Sequence, residues 1–335
     1  MVETRVLPGD DPGAIREAAA AIQAGETVVF PTETVYGLGA NALDAAAVAW
    51  VFAIKERPSF DPLIVHLAEA GDIRGFADEA ETDDPRVVRL AAAFWPGPLT
   101  IVLRKRPLIP GIVTAGLDTV GLRVPDHPVA RALIEAAGLP IAAPSANRFG
   151  RVSPTRAEHV VAQLGGRVAI VLDGGPCRVG VESTVIRLAD GRAELLRPGG
   201  VAAEAIATVI GPLAHGGEVA MSSSLSPGRS ITHYAPSVPL TLVGPIGGED
   251  ARANERIGLL AADELGLAAA LACGGPYALV EVLSATGDRV EQAANLFDAI
   301  HRLDAASLDR IVAQSVPTDG LGRAIMDRLL RAAAA

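Results

Sequence analysis

Short apolar runs bounded by turn residues alternate along this chain with longer stretches of helical period, and such a pattern leaves few folds open. Runs of β type occur at Leu63 to Leu67, Leu99 to Leu103, Val120 to Val124, Ile141 to Ala143, Val168 to Leu172 and Thr184 to Leu188. Helical patterns stand between them at Asp44 to Glu56, Asp84 to Trp95, His127 to Gly138, Arg156 to Gly165 and Val201 to Ile210. Ahead of these, Asp11-Pro12 opens an alanine-rich helix ending near Gly25, and Thr27 to Phe30 reads as a short buried strand. The interleaving predicts an α/β domain in which helices cover a sheet.

From about Gly211 to Pro239 the periodicity gives way to Gly, Ser, Pro and His, as in a linker. Beyond it, Leu240 to Val243, Ile257 to Ala261, Tyr277 to Leu283 and Ile311 to Gln314 alternate with helical stretches such as Asp288 to Leu303 and Leu321 to Arg331, which predicts a second, smaller α/β domain. The expected division is 1–211, a linker over 212–238, and 239–335, in keeping with a length of 335 residues. No run reaches the roughly 18 apolar residues of a spanning helix, and MVETRVLPGD lacks the basic head and apolar stretch of a leader, so no membrane contact is expected. Two cysteines, Cys177 and Cys273, lie far apart without CxxC or Cys/His spacing. They predict neither a disulfide framework nor a metal site, and a reducing, cytoplasmic setting.

The net charge of −10 argues against a protein that coats nucleic acid. Arginines nevertheless gather between Arg123 and Arg197, a locally positive stretch suited to one anionic ligand. Of 29 basic residues only Lys55 and Lys105 are lysines, so position 55 breaks a strong habit. Gly37-Leu38-Gly39-Ala40-Asn41-Ala42 with Asp61 downstream matches a relaxed dinucleotide fingerprint, but the preceding strand ends near Phe30, too far back for the tight turn the fingerprint requires. Neither lysine sits in a Walker loop, so phosphate chemistry here needs another device.

Four segments are polar where a packed core has no need of it. Pro31-Thr32-Glu33-Thr34-Val35-Tyr36-Gly37-Leu38 follows a buried strand, and strand ends in α/β sheets are where ligands bind. Lys55 to His66 carries two cations off a helix end through a turn stiffened by Pro58 and Pro62. Ala142 to Arg148, followed by Ser153-Pro154-Thr155, offers backbone amides that could cradle an anion. Val181 to Ile186 introduces a strand, and Arg197-Pro198-Gly199 follows the next one.

Read in order, PTETVYGLG, KxRPxxxPLIVH, PSAN with a downstream SPT, and GVESTVI with RPG closely resemble the YrdC-like family; Ser226-Pro227-Gly228, His233-Tyr234-Ala235-Pro236 and the small domain after them resemble its two-domain form. The likeness spans essentially the whole chain. Two departures stand out: Asp61 occupies a position where the family often has Asn, and Arg229-Ser230-Ile231-Thr232 replaces the Met and basic or aromatic residues of many members.

The resemblance implies a twisted open mixed sheet with flanking helices, plus a Rossmann-like C-terminal domain. It further implies an enzyme that joins L-threonine, bicarbonate or CO2, and ATP into threonylcarbamoyl-AMP with release of pyrophosphate, a product then used by a separate transferase complex to modify tRNA. Threonine would be held by Thr34, His66, Arg123, Ser183 and the backbone near Ala143. Two parallel hydrogen bonds from Arg123 would suit its carboxylate. ATP would meet Arg57, Asp61, Thr119, Ser145, Ser153, Arg197 and Tyr234, with Lys55 and Asn147 completing the set and Mg2+ bridging phosphate oxygens. Lys55 and Arg57 are the expected catalytic groups, since joining two anions requires neutralised charge. The linker ending in Tyr234 is expected to act as a lid that keeps water from labile intermediates. An alternative reading is an RNA-binding YrdC-like module, which the acidic charge balance disfavours; direct tRNA binding is therefore expected to be weak or absent.

Overall fold

The computed structural model describes residues 2–189, 191–215, 233–245, 255–274 and 277–334. Most of the expected linker, including 226–232, lies outside the described residues. The chain divides into two compact units: residues 1–149, 154–178 and 182–229 form the first, and 150–153, 179–181 and 230–335 the second. Among the described residues no helix is long and apolar enough to cross a membrane.

The first unit opens with β1 (Arg5–Pro8), α1 (Pro12–Gln23), β2 (Val28–Phe30) and β3 (Gly37–Asn41). It continues through α2 (Ala45–Lys55), β4 (Ile64–His66), α3 (Ile73–Phe76), α4 (Glu79–Thr82) and α5 (Pro85–Phe94). Next come β5 (Leu99–Arg104), β6 (Thr119–Arg123), α6 (Pro128–Ala137), β7 (Ile141–Ala142), α7 (Ala157–Leu164) and β8 (Ile170–Asp173). The strands β9 (Thr184–Ala189) and β10 (Arg192–Arg197), then α8 (Ala203–Ile210) and β11 (Ala214–His215), complete it. All eleven strands join one mixed sheet in the order β1-β8-β2-β3-β7-β4-β6-β5-β9-β10-β11.

Helix ends follow local chemistry. Asp11 caps α1 by accepting from the amides of Gly13 and Ala14, with Pro12 in the first turn, and Asp44 caps α2 in the same way. At the far end of α2 Glu56 takes a left-handed conformation, φ 55°, which turns the chain between Lys55 and Arg57.

Four strands escape the sequence pattern, one of them the two-residue β11. β1 is a short sheet edge bearing Arg5 and Pro8 and pairs only with β8. β3 contains Gly37 and Gly39 and carries no β-type run, yet it runs antiparallel to β2, so these glycines open no helix and the dinucleotide motif has no structural counterpart. A Cβ on Gly39 would lie 2.6 Å from Phe30 and Ile141, so close approach of the strands excludes a side chain. β10 carries charges at Arg192, Glu194 and Arg197 and pairs back onto β9.

Side-chain alternation divides the central strands. Val65, Val120, Leu122, Leu99, Ile101 and Leu103 enter the main core with α2, α5, α7 and α8. The period of two turns Ile64 and His66, Thr119, Gly121 and Arg123, and Thr100 and Val102 to the opposite face. That face carries the polar residues of the motifs.

The second unit contains β12 (Leu240–Val243), β13 (Ile257–Ala261), α9 (Glu264–Ala272), β14 (Tyr277–Val282), α10 (Arg289–Asp304), β15 (Arg310–Gln314) and α11 (Gly322–Ala333). Its four strands are parallel, in the order β12-β15-β13-β14. Helix α9 is apolar nearly all round, which hides its period from the sequence. Residues 150–153 and 179–181 belong to this unit because Ala235 donates its amide to Gly150 O and Gly180 packs against α10. A Cβ on Gly180, φ 72°, would meet the carbonyls of Ala293 and Ala294 at 2.4 Å.

Candidate active site

In the first unit the loop after β2 is buried although it carries the polar run Thr32, Glu33 and Thr34. Thr32 organises it: its hydroxyl donates to Val35 O at 2.7 Å and accepts from the amides of Thr34 and Val35. Thr34 Oγ1 lies 2.8 Å from Thr32 Oγ1 and accepts from Arg123 Nη2 at 3.0 Å. Tyr36 anchors the loop to the start of the 173–175 turn through Asp173 Oδ1 and Gly175 O, and burial drives its phenol pKa upward. It is a structural anchor.

Arg123 ends β6 with its guanidinium almost wholly buried. Nε donates to Gly97 O at 3.2 Å, and Nη2 also meets Glu33 Oε1 at 2.6 Å in an ion pair buried on both sides. Among the described residues Nη1 has no partner, so a ligand would meet this nitrogen and not the two-nitrogen fork that the residue type alone suggests. His66 pairs with Arg123 in the parallel ladder of β4 and β6. Its Nδ1 lies 3.3 Å from Ile141 O, and because a carbonyl only accepts, this contact assigns the proton to Nδ1 and a lone pair to Nε2. Burial, then the charge of Arg123, pushes the imidazole pKa down to about 3. His66 is therefore a neutral acceptor at physiological pH.

Ser183 introduces β9 beside this group: its Oγ lies 2.8 Å from Thr100 Oγ1, and Arg197 Nη2 donates to its carbonyl at 3.0 Å and to its hydroxyl at 3.2 Å. The amide of Ala143 is committed to Ile64 O. Thr119 stands at the other end of the same face, half-buried, at a cleft of about 790 Å³ that Arg86, Arg104, Lys105 and Arg187 also line.

The second cationic group gathers at the end of α2. Lys55 is buried, and its ammonium donates to the carbonyls of Ser145 and Asn147, while the amide of Phe149 donates to Lys55 O. Desolvation, then the nearby Arg57, holds the Lys55 pKa well below the ordinary amine value. Arg57 pairs with Asp61 at 2.9 Å and donates to the carbonyls of Asp61 and Pro62, bracing the turn between Pro58 and Pro62. Arg148 and Arg167 hold Glu56 at 2.9 and 2.8 Å, which lowers its carboxyl pKa to about 2 and fastens the segment after Asn147 to the helix end.

Ser153 and Tyr234 lie in the second unit. His301 Nε2 lies 3.1 Å from Ser153 O. The Tyr234 ring, 1% exposed, stacks on Phe297 at 5.4 Å between centroids, and the Arg328 guanidinium lies 5.4 Å from its centroid. An alanine at 234 would remove a packed ring at a cost of roughly 3–5 kcal/mol, so Tyr234→Phe separates ligand contact from folding and Tyr234→Ala does not. Sequence reasoning passed over Glu33 and Thr100. Thr100 was findable from the period of β5, in which it shares a face with Val102.

Comparisons with known proteins match both parts of the chain. The family model described as "Telomere recombination" matches residues 20–199, and that described as "Threonylcarbamoyl-AMP synthase, C-terminal domain" matches 201–334. The threonylcarbamoyl-AMP synthase of Bacillus subtilis is 43% identical over 98% of this chain and 95% of its own length. That of Pyrococcus abyssi is 44% identical over 95% and 93%. A crystal structure of P. abyssi Sua5 complexed with L-threonine superposes with a TM-score of 0.84 at 38% identity, covering 99% of this chain and 97% of that one. With matches of this extent laid over the buried Arg123, His66 and Ser183 group and the Lys55 and Arg57 clamp, the chain belongs to the threonylcarbamoyl-AMP synthase family of enzymes.

Proposed function

We propose that this enzyme condenses L-threonine, bicarbonate or CO2, and ATP into L-threonylcarbamoyl-AMP, releasing pyrophosphate, and that a separate transferase complex uses the product to form threonylcarbamoyladenosine in tRNA. The observation that carries the reading is the pairing of a buried guanidinium with a neutral imidazole. Arg123 Nη1 can take the threonine carboxylate through charge-assisted hydrogen bonds. His66 Nε2 and Ser183 Oγ are left to accept from the amine or hydroxyl of the substrate. The P. abyssi relative solved in complex with L-threonine supports the same choice of amino acid.

The amine reacts with CO2 to give a carbamate, and a carbamate oxygen then attacks the α-phosphorus of ATP. The new O–P bond forms as the bond to the β,γ-pyrophosphate breaks, and the electron pair leaves with pyrophosphate. Both partners are anions, so the protein contributes position and positive charge. Arg57 and Arg197 supply the charge, and Lys55 keeps one of its three N–H donors for a phosphate oxygen while two hold the Ser145 to Asn147 segment. Asp61, Thr119, Ser145, Asn147, Ser153 and Tyr234 complete the proposed ATP set. With its pKa near 3, His66 is too weakly basic to carry the amine proton, which passes to solvent or bicarbonate. Mg2+ enters as part of the substrate, on ATP phosphate oxygens. Bridging oxygens and lowering their charge is the chemistry it supplies.

The deciding experiment is pyrophosphate release by the purified chain with ATP, Mg2+, bicarbonate and L-threonine, omitting each in turn. Release that needs both threonine and bicarbonate, with the mass of threonylcarbamoyl-AMP, upholds the reading. Untouched ATP together with tight RNA binding would favour the RNA-binding module instead.

A further inference from the structure

Glu33 has no part in the chemistry above, yet its carboxylate is among the most buried charges of the first unit. We propose that Glu33 is the positioning residue for Arg123, holding the guanidinium so that Nη1 alone faces the carboxylate of the amino-acid substrate. The proposal rests on the reading of Arg123 as the threonine receptor.

The donor account of Arg123 carries it. A guanidinium has five N–H donors in one rigid plane, so assigning some of them orients the rest. The single Nε–H goes to Gly97 O and one on Nη2 goes to Thr34 Oγ1, while Glu33 Oε1 faces the same nitrogen at 2.6 Å as a counter-charge. The two on Nη1 remain among the described residues. Glu33 is itself fastened through Oε2, which accepts the Asp126 amide at 3.0 Å and leaves Oε1 to the guanidinium as an ion-pair contact. A clamp of acceptors built from Gly97 O and Thr34 Oγ1 alone would leave a buried cation without counter-charge.

Nearby titratable groups do not replace that charge. His66 is neutral, Cys177 is kept protonated by burial and then by Glu33 itself, and burial lowers the pKa of His127. Asp126 points its carboxylate to Arg178 at 2.7 Å. Removing the Glu33 charge therefore leaves the substrate carboxylate as the counter-ion of Arg123, and the guanidinium becomes free to meet it in other poses.

The test measures pyrophosphate release by the full chain and fits KM for L-threonine and for ATP separately, in Glu33→Gln, Glu33→Asp, Arg123→Lys and the Glu33→Gln/Arg123→Lys double variant. Glu33→Gln is expected to raise the threonine KM about tenfold and to leave the ATP KM within about twofold, a split that a general loss of structure would not give. The double variant is expected to match Arg123→Lys within about twofold, because the two residues act as one unit. Glu33→Asp, which keeps the charge, should recover part of the threonine affinity. Should Glu33→Gln fail to fold, Glu33→Asp is read in the same way. An unchanged threonine KM, equal shifts for threonine and ATP, or additive effects in the double variant overturn the role of Glu33. If Arg123→Lys itself leaves the threonine KM unchanged, the reading of Arg123 falls and the proposal falls with it.

Discussion

Arg123 and Lys55 are cations taken almost wholly out of water, and their surroundings meet the cost of that burial in different ways. Arg123 faces a full counter-charge in Glu33 at 2.6 Å, whereas the ammonium of Lys55 faces the carbonyls of Ser145 and Asn147, with the Asp61 charge spent chiefly on Arg57. Desolvation, then the charge of Arg57, carries the Lys55 pKa far below its usual value. The contrast separates recognition from architecture. Arg123 is presented to a ligand by a fixed charge pair, and Lys55 first holds a loop in place.

The largest effect expected on stability is at the charge pair. Arg123→Met strands Glu33 and should cost about 3–5 kcal/mol in urea unfolding. Lys55→Ala leaves two carbonyls without a donor and should cost about 1–3 kcal/mol; a larger loss here than at Arg123 would break the comparison. On activity Lys55→Ala is the more severe change: pyrophosphate release should fall at least about a thousandfold, since both loop position and charge are lost.

The neighbour of Arg123 sharpens the same contrast through pH. His66 is neutral when folded and takes a proton readily only when unfolded, so its contribution to stability is complete above about 6.5 and is lost as pH falls towards about 3. Melting temperature should therefore drop on acidification through this window, and Asn at position 66 should flatten the drop; an unchanged slope would refute the assignment. The smallest effect is expected at the helix-end group. Asp61→Asn keeps an acceptor for Arg57, which also retains the carbonyls of Asp61 and Pro62, so the ATP KM should change by no more than about threefold.

How much of this was legible beforehand follows from what each residue does with its neighbours. The strand Leu99–Arg104 was visible as a short, almost continuously buried run, and helices such as Pro128–Ala137 because their burial is periodic. Gly37–Asn41 was hidden because its glycines serve close strand approach, a property of Phe30 and Ile141 as much as of the strand itself. Segment motifs singled out the loop of Thr32 to Tyr36, yet they could not tell that Glu33 turns toward Arg123, ninety residues further along the chain. Pairings at that range belong to the sheet order. Tyr234 was legible as a site aromatic at a linker end only through resemblance, and its stacking on Phe297 depended on a helix sixty residues later.

The same burial of Lys55 has a use at the bench. An amine buried and enclosed by carbonyls is out of reach of acylating reagents, while Lys105, half-buried and bonded to Thr114, opens on the large cleft beside Thr119. Apart from the chain terminus, amine-directed conjugation therefore has one address, and a dye or a surface tether attached there marks the end of β5.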